Sequence, residues 1–398
     1  MVPAERARQL IREGQVSVYP RPLRKTSRDN SFSRIIEAAK LTTYQPPVRS
    51  SAFSTLRACP RKFMFVERLG LRLLGDYQPA LKIGIAYHEF IAAYYSGHST
   101  AQVANLVPVH LANLEAELNR AVDPHTGMLP NGGTVEDYMS TAYKDSMLAH
   151  AMAANFIKLY PPESLLEHYE LVGIEMPYIV AIKGIIQPLA IRADMLVRDR
   201  KTGDYWVVDH KTCSGSPRTR SAVLTYSFQA RLYAFVLSLA LSNEARRAQP
   251  GLSVSPAPIG GWIHNIIQKP TIRLKKNQTF EAYIQECYDW YLLKTEERPD
   301  DPPIIQSAVP YSVAPPNAEF IHQIKEVDQA ARAHFRPDFF YRDTSECISC
   351  FGNKLCPFFP LCACENERRV KWPHLLTTRY TQDPRPIEGL LPSDDSLD

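Results

Sequence analysis

The segment IRADMLVRDRKTGDYWVVDHKT, residues 191–212, decides how the middle of this chain folds. Apolar residues dominate its two halves, and DRKTGD between them has the composition of a tight turn. Asp194 lies seven residues before Lys201, and Asp209 lies seven residues after Thr202. A hairpin that closes evenly about this point places the two carboxylates opposite each other, with Cβ atoms roughly 5 Å apart.

Two carboxylates at that distance repel each other unless a cation lies between them, and a divalent cation gives the pair a purpose. Lys211 follows Asp209 by two residues, so strand alternation returns its side chain to the same face. Its ammonium can hold an attacking water or neutralise charge that develops on a phosphate. The alternative is a surface hairpin with ordinary salt bridges, which is the commoner origin of a lone D-x-K motif. The apolar run VVD at 207–209 argues against it, because buried unpaired acids are costly.

Other polar residues stand in apolar surroundings. His88 lies within the helical pattern ALKIGIAYHEFIAAYYSG, where a histidine on its own is more simply explained as part of the core. Glu175 interrupts the strand pattern VGIEMPYIV. Gln229 and Tyr233 are one helical turn apart and therefore share a helix face.

The order of these motifs, GIAYH, an acid-bearing strand, an aspartate, VVDHKT and QARLY, resembles the RecB-type branch of the PD-(D/E)XK nuclease superfamily. The resemblance implies an α/β restriction-endonuclease-like core, a central mixed sheet flanked by helices. It also implies roles for single residues: His88, Asp194 and Asp209 as ligands of Mg²⁺ or Mn²⁺, Lys211 as the catalytic lysine, Gln229 and Tyr233 as the helix motif that organises the site and meets DNA, and Glu175 as a further acid. One residue departs from the pattern, because such proteins usually have a glycine where this chain has Arg192.

Five of the eight cysteines fall within SECISCFGNKLCPFFPLCACENE, residues 345–367. Cys347, Cys350 and Cys356 have the spacing C-x2-C-x5-C, and Cys59 stands alone near the start of the domain. This arrangement resembles the split cysteine set of AddB-type nucleases and CRISPR-adaptation exonucleases. The resemblance implies a [4Fe-4S] cluster that joins the end of the domain to its beginning.

From spacing alone, four thiolates would suit zinc equally well. Cys362 and Cys364 are additional, and either can replace Cys356 as a ligand. Cys213 and Cys287 lie outside the pattern and are expected to be ordinary buried thiols.

Composition shifts divide the chain into three parts. Residues 1–50 form a polar, basic arm, residues 51–366 the nuclease domain, and residues 367–398 a tail with no hydrophobic periodicity that we expect to be disordered. Within the domain we expect helical insertions near 101–165 and 241–335, ahead of the cysteine cluster at 347–364.

The predicted function is a metal-dependent DNA exonuclease that acts in DNA repair, recombination or phage and CRISPR DNA processing. The alternatives are a catalytically inactive DNA-binding or scaffolding protein of the same fold, and a zinc-binding interaction protein. No G-x-x-x-x-G-K-[ST] motif is present, so unwinding of DNA would need a separate helicase or recombination partner.

Bulk properties agree with an ordinary globular protein. The apolar content is 45%, the charged content 22% and the formal net charge +4. No stretch reaches the roughly 18 apolar residues of a membrane span, and the basic N-terminal segment lacks the apolar region of a secretory signal. We therefore expect no membrane partner and a location in the cytoplasm of a bacterial or phage-infected cell, associated with the nucleoid.

Overall fold

The computed structural model describes part of the chain. The described residues are 16–17, 39–41, 43–74, 78–123, 125–129, 133–242, 257–313, 317–333, 340–343, 356–364 and 368–382. Cys347 and Cys350 of the predicted cluster, and most of the predicted N-terminal arm, lie outside these ranges.

A mixed β-sheet runs through the centre of the domain. Its strands are β1 (Val16–Ser17), β3 (Tyr169–Ile182), β4 (Leu189–Asp199), β5 (Tyr205–Cys213), β6 (Ile259–Gln268) and β7 (Ile304–Pro310). They lie side by side in that order, and every neighbouring pair is antiparallel except β5 and β6, which are parallel. The predicted α/β core with a mixed sheet is therefore confirmed.

The central hairpin of β4 and β5 has the register that the turn predicts. Met195 faces Val208 and Arg198 faces Tyr205, so one further step would place Asp194 opposite Asp209. The turn closes because the Asp199 carboxylate accepts the backbone N–H groups of Lys201 and Thr202. Gly203 completes it with φ of +79°, a conformation that costs glycine little.

Helices cover both faces of this sheet. They are α1 (Ser50–Ala58), α2 (Pro60–Phe63) with a following π-helical turn (Met64–Arg68), α3 (Pro79–Tyr95), α4 (Thr100–Ala104), α5 (Leu106–Ala121), α6 (Val135–Leu159), α7 (Pro162–His168), α8 (Pro217–Thr225), α9 (Phe228–Ala240), α10 (Phe280–Glu297), α11 (Ala318–Arg332), α12 (Phe359–Ala363) and α13 (Arg368–Arg379). One core cluster joins the sheet to α9, α11 and the C-terminal elements, and a second joins it to α3, α6 and α10.

The end of the domain packs against its beginning. A short strand β2 (Leu71–Leu73) pairs with β8 (Tyr380–Gln382), and the Phe65 ring stacks on Phe358 with centroids 5.2 Å apart. The indole of Trp372, fully buried, meets the edge of Phe65 and donates to the Leu361 carbonyl. Noncovalent contacts thus already join the two ends that the predicted cluster would connect.

Three expected boundaries need correction. Residues 368–382 form a helix and a paired strand, not a disordered tail, because Trp372, Leu376 and Tyr380 are buried against the N-terminal helices. The expected insertion at 241–335 contributes β6 and β7 to the sheet itself. The domain also begins before residue 51, since Val48 is fully buried and bridges to Leu189.

Within the described residues, no single helix is long and apolar enough to cross a membrane. The bent pair Pro217–Thr225 and Phe228–Ala240, at 51° to each other, meets that criterion by length and composition alone. Most residues of the second helix are buried in the core of this domain.

Candidate active site

Strands β3 and β4 pair with a register shift between Leu171 and Gly173, and the backbone of β3 is distorted again at Glu175, opposite Asp194. Ile174 still pairs with Met195, and Met176 with Ala193, but Glu175 between them has φ of +52°. This left-handed conformation is rare for a residue with a Cβ atom and marks a locally strained backbone. The alternation of β4 also breaks here, since Ala193 packs in one core cluster and Met195 in the other. The distortion turns both carboxylates toward helix α3.

His88 from α3 completes a group of three metal donors. One ligand atom each from His88, Glu175 and Asp194 lies within 4.8 Å of the other two, and all three residues are partly buried. The Nδ1 atom of His88 is 3.3 Å from Oδ2 of Asp194. Ligands of a cation at 2.0–2.1 Å stand roughly 3–4 Å apart, so this spacing suits an ion in the middle. One imidazole with two carboxylates fits Mn²⁺, and Mg²⁺ when water supplies the other ligands.

The electrostatics of these three residues are coupled. Burial acts to lower the pKa of His88, but the charge and hydrogen bond of Asp194 outweigh it and raise this pKa above its ordinary value. Burial also acts to raise the pKa of Asp194, and the positive charges of Lys211 and His88 overcome that effect and hold it below its usual range. For Glu175, burial and the neighbouring Asp194 charge raise the pKa.

Asp209 and Lys211 form a buried ion pair next to this group. The Lys211 ammonium donates to Oδ1 of Asp209 at 2.6 Å, and the two side chains are 17% and 9% exposed. Burial acts to lower the pKa of Lys211, but Asp209 and Asp194 reverse the effect, so the ammonium stays charged. In this arrangement Asp209 binds the Lys211 ammonium, and it is not a member of the three-donor group.

Helix α9 brings Gln229 and Tyr233 to the other side of the site. The Tyr233 hydroxyl donates to the backbone carbonyl of Arg192 at 2.7 Å, two residues before Asp194. The Gln229 side chain hydrogen-bonds to the same hydroxyl, while burial raises the pKa of Tyr233. The helix motif thus anchors strand β4 at the position where its pairing is distorted.

Four residues near the site were given no role by the sequence reasoning: His210, His264, Ser221 and Arg192. The buried ring of His210 lies on the opposite face from Asp209, and burial lowers its pKa to about 3. His264 lies beside Asp209 in the parallel register of β5 and β6, and its Nδ1 is 3.0 Å from the hydroxyl of Ser221. His264 and Asp209 line a small pocket together with Gln229 and Tyr233.

Arg192, the fourth residue, was noted only as a departure from a glycine pattern. Its Nε atom is 2.8 Å from Oε2 of Glu175, and its side chain is 66% exposed. His264 could have been noticed in the sequence as a polar residue within the apolar strand pattern of β6. No sequence pattern indicates that Arg192 contacts Glu175.

No disulfide bond joins the cysteines that the structure describes. Cys59 is buried at the junction of α1 and α2, and its sulfur accepts the backbone N–H of Asp343 at 3.5 Å. Cys356 and Cys362 are also buried. Both lie close to Tyr380, whose pKa is raised by burial and also by the negative charge of these two side chains when they ionise. Within the described part of the chain no three cysteines form a metal-binding group. Cys364 is partly exposed at the end of α12, and Cys213 and Cys287 lie elsewhere.

The structure therefore brings together the predicted residues His88, Glu175 and Asp194, and beside them Asp209 with Lys211 and Gln229 with Tyr233. A comparison with known protein families finds that residues 50–363 match the PD-(D/E)XK nuclease superfamily. A search of curated proteins finds none that matches significantly.

Proposed function

This chain belongs to the PD-(D/E)XK nuclease superfamily, and we propose that it is a DNA exonuclease of the RecB-type branch that uses Mg²⁺ or Mn²⁺. The observation that carries the proposal is the meeting of two groups of side chains at the central strands β4 and β5. His88, Glu175 and Asp194 form the three-donor group, and Asp209 with Lys211 forms a buried ion pair beside it. The motif order from GIAYH to QARLY supports the branch.

The ligands of the cation are His88, Asp194 and Glu175, with Asp209 able to contribute an oxygen. When bound, such an ion lowers the pKa of a coordinated water and stabilises charge on a phosphate. Asp209 holds the Lys211 ammonium in place through the 2.6 Å contact. From there the ammonium can orient the attacking water and neutralise charge on the phosphate. Burial of this pair strengthens its electrostatic effect, because little water screens it.

The test is digestion of end-labelled single- and double-stranded DNA with Mg²⁺ or Mn²⁺. Lys211→Ala and Asp209→Ala are expected to reduce cleavage by at least a hundredfold. Each leaves its partner unpaired in a buried site, so a lower melting temperature is also expected, and circular dichroism checks that the variant is folded. Lys201→Ala is the matched control, because Lys201 belongs to the same hairpin but lies exposed in its turn. Cleavage by Lys211→Ala at the rate of the parent would contradict the assignment.

The proposed exonuclease action means that the protein degrades DNA from its ends. It predicts that label at the digested end is released as mononucleotides or short oligonucleotides and that closed circular DNA survives. Rapid nicking of circles would instead favour an endonuclease. If neither substrate is cut but both are bound, the protein is a DNA-binding or scaffolding member of the superfamily.

Processing of DNA ends would place the protein in repair, recombination or phage and CRISPR DNA processing, in the cytoplasm. A separate helicase would supply single strands, because the sequence contains no phosphate-binding loop of a motor.

We also propose a [4Fe-4S] cluster held by Cys59, Cys347, Cys350 and Cys356. Cys59 and Cys356 are both buried. The Cys59 sulfur accepts the backbone N–H of Asp343, and such hydrogen bonds tune the reduction potential of thiolate-bound clusters. The packing of Phe65 on Phe358 supports the idea that the cluster joins the two ends of the domain. Cys362 remains the alternative to Cys356, because both thiols lie near Tyr380.

Anaerobically purified protein is therefore expected to be brown, with absorbance at about 400 nm. Cys59→Ser and Cys356→Ser should lose the colour, whereas Cys213→Ser should keep it, since Cys213 only donates to the Gly215 carbonyl. If Cys356→Ser keeps the colour and Cys362→Ser loses it, Cys362 is the ligand in place of Cys356. Colourless protein with one equivalent of zinc would replace the cluster by a zinc site.

A further inference from the structure

Arg192 forms an ion pair with Glu175, one of the three residues of the candidate metal site. Its guanidinium contacts Glu175 at 2.8 Å and is 66% exposed, while the Glu175 side chain is 36% exposed. The backbone of Arg192 is fixed, because its carbonyl accepts the Tyr233 hydroxyl at 2.7 Å. A largely exposed cationic side chain thus starts from an anchored strand position and reaches the Glu175 carboxylate.

Glu175 has two competing partners. Its carboxylate is one of the three donors within 4.8 Å of one another, and the same carboxylate binds Arg192. An oxygen that accepts from a guanidinium has less electron density to offer a cation, and the guanidinium charge repels that cation. The left-handed φ of +52° keeps Glu175 in the site, so the residue cannot avoid this competition by moving away.

We propose that Arg192 is a positioning residue that is exchanged between Glu175 and a phosphodiester of the substrate. In the free protein it pairs with Glu175 and weakens metal binding; on a nucleic-acid strand it binds a phosphate and leaves Glu175 to the cation. This inference rests on the proposed nuclease function.

The chemistry of the two contacts supports the exchange. A salt bridge between partly exposed groups contributes little to stability, so the Arg192–Glu175 pair is easily broken. A guanidinium has a planar set of N–H donors that matches phosphate oxygens and remains charged at every physiological pH. A phosphate is therefore a stronger partner for Arg192 than the Glu175 carboxylate that also faces a cation.

The first measurement is Mn²⁺ binding without DNA, by calorimetry. Arg192→Gln is expected to bind Mn²⁺ about threefold more tightly than the parent, because the competing charge is gone. Arg192→Lys should lie between the two. Arg198→Gln is the matched control, since Arg198 lies on the same strand but binds the Gly203 carbonyl at 3.0 Å. In a Glu175→Gln background, Arg192→Gln should no longer change Mn²⁺ affinity.

The second measurement is DNA binding with Ca²⁺ in place of the catalytic metal. Arg192→Gln is expected to bind duplex DNA about tenfold more weakly. The slope of log affinity against log salt concentration should fall by about one unit, which corresponds to one lost phosphate contact. Arg198→Gln should leave both values unchanged.

The two effects of Arg192→Gln have opposite signs, which a merely structural role would not produce. The proposed exchange would be overturned if Arg192→Gln bound Mn²⁺ no more tightly than the parent. It would also be overturned if the threefold gain persisted in the Glu175→Gln background. DNA affinity and salt slope equal to those of the parent would overturn the phosphate contact. Neither measurement requires cleavage, so a parent protein that binds as expected but cuts no DNA would refute the proposed activity alone.

Discussion

The backbone N–H of His210 donates a 2.8 Å hydrogen bond to Oδ2 of Asp194 across the central hairpin. Asp194 therefore receives a fixed donor from the strand that also carries Asp209 and Lys211. The same Oδ2 is 3.3 Å from Nδ1 of His88. The hairpin and helix α3 hold this carboxylate together, so the geometry of the candidate metal site depends on the backbone of β5 as well as on side chains.

Binding of Mn²⁺ is expected to release protons. Burial acts to lower the pKa of His88, but the charge and hydrogen bond of Asp194 raise it above its ordinary value, so the free imidazole holds its proton to higher pH than an ordinary histidine. A ligand must be deprotonated, and Mn²⁺ affinity should therefore rise with pH while this imidazole titrates. Calorimetry in two buffers of different ionisation enthalpy should show net release of protons on binding. His88→Asn should bind Mn²⁺ more weakly and release fewer protons; equal proton release would exclude His88 as a ligand.

The side chain of His264 is expected to support Asp209 through its Nε2 atom. The Ser221 hydroxyl occupies Nδ1 at 3.0 Å, and the ring lines the pocket shared with Asp209. His264→Gln can retain a donor at the Nε2 position, whereas His264→Asn retains only the contact to Ser221. We expect His264→Asn to lose about tenfold in cleavage rate and His264→Gln to stay within about threefold of the parent. The reverse order would show that only the contact to Ser221 matters.

Two glycines should respond oppositely to alanine. A Cβ atom on Gly261 would stand 2.1 Å from the Val309 carbonyl oxygen on the neighbouring strand and 2.8 Å from the Trp206 ring. Gly261→Ala must shift the backbone of β6 or β7 and should cost about 1–3 kcal/mol of unfolding free energy. Gly84 lies inside α3 with nothing within 4 Å of such an atom, so Gly84→Ala should stabilise by about 0.5–1 kcal/mol. Urea unfolding midpoints measure both, and a neutral Gly261→Ala would contradict the close strand packing.

Acid should destabilise the fold partly through His150. This fully buried histidine stacks on Phe280, and burial lowers its pKa from 6.5 to about 4. The unfolded chain takes up this proton near pH 6.5 and the folded chain only near 4, so the stability present above 6.5 falls by about 3 kcal/mol as the pH drops between them.

The check is a comparison with His150→Leu. This variant removes the titrating group from a site where, among the described residues, Nδ1 has no hydrogen-bond partner. The fall in unfolding free energy from pH 7 to pH 4 should be smaller in the variant by about the same amount. An identical fall in both proteins would mean that His150 is already solvated or protonated in the folded chain.

The parts of the fold that follow from local pattern were predictable. The hairpin of β4 and β5 has the predicted register because the turn residues and the period-two apolar pattern act over a few positions. Helix α3 also lies where the helical pattern around His88 predicts it. The C-terminal helix α13 was missed because its few apolar residues acquire their role only against Phe65, more than three hundred residues away.

The candidate site divides in the same way. The sequence by itself determined which acids, histidine, lysine and helix motif are available, and through strand alternation it determined that Asp209 and Lys211 share a face. Only the tertiary structure decided that Glu175, in a left-handed conformation opposite Asp194, lies close enough to His88 and Asp194 to form a candidate metal site with them and is also bound by Arg192. The physical reason is the distance along the chain over which each interaction acts. Strand alternation and turn geometry act between neighbouring residues. The backbone distortion and the pairing of side chains from α3, β3 and β4 depend instead on how distant segments pack together.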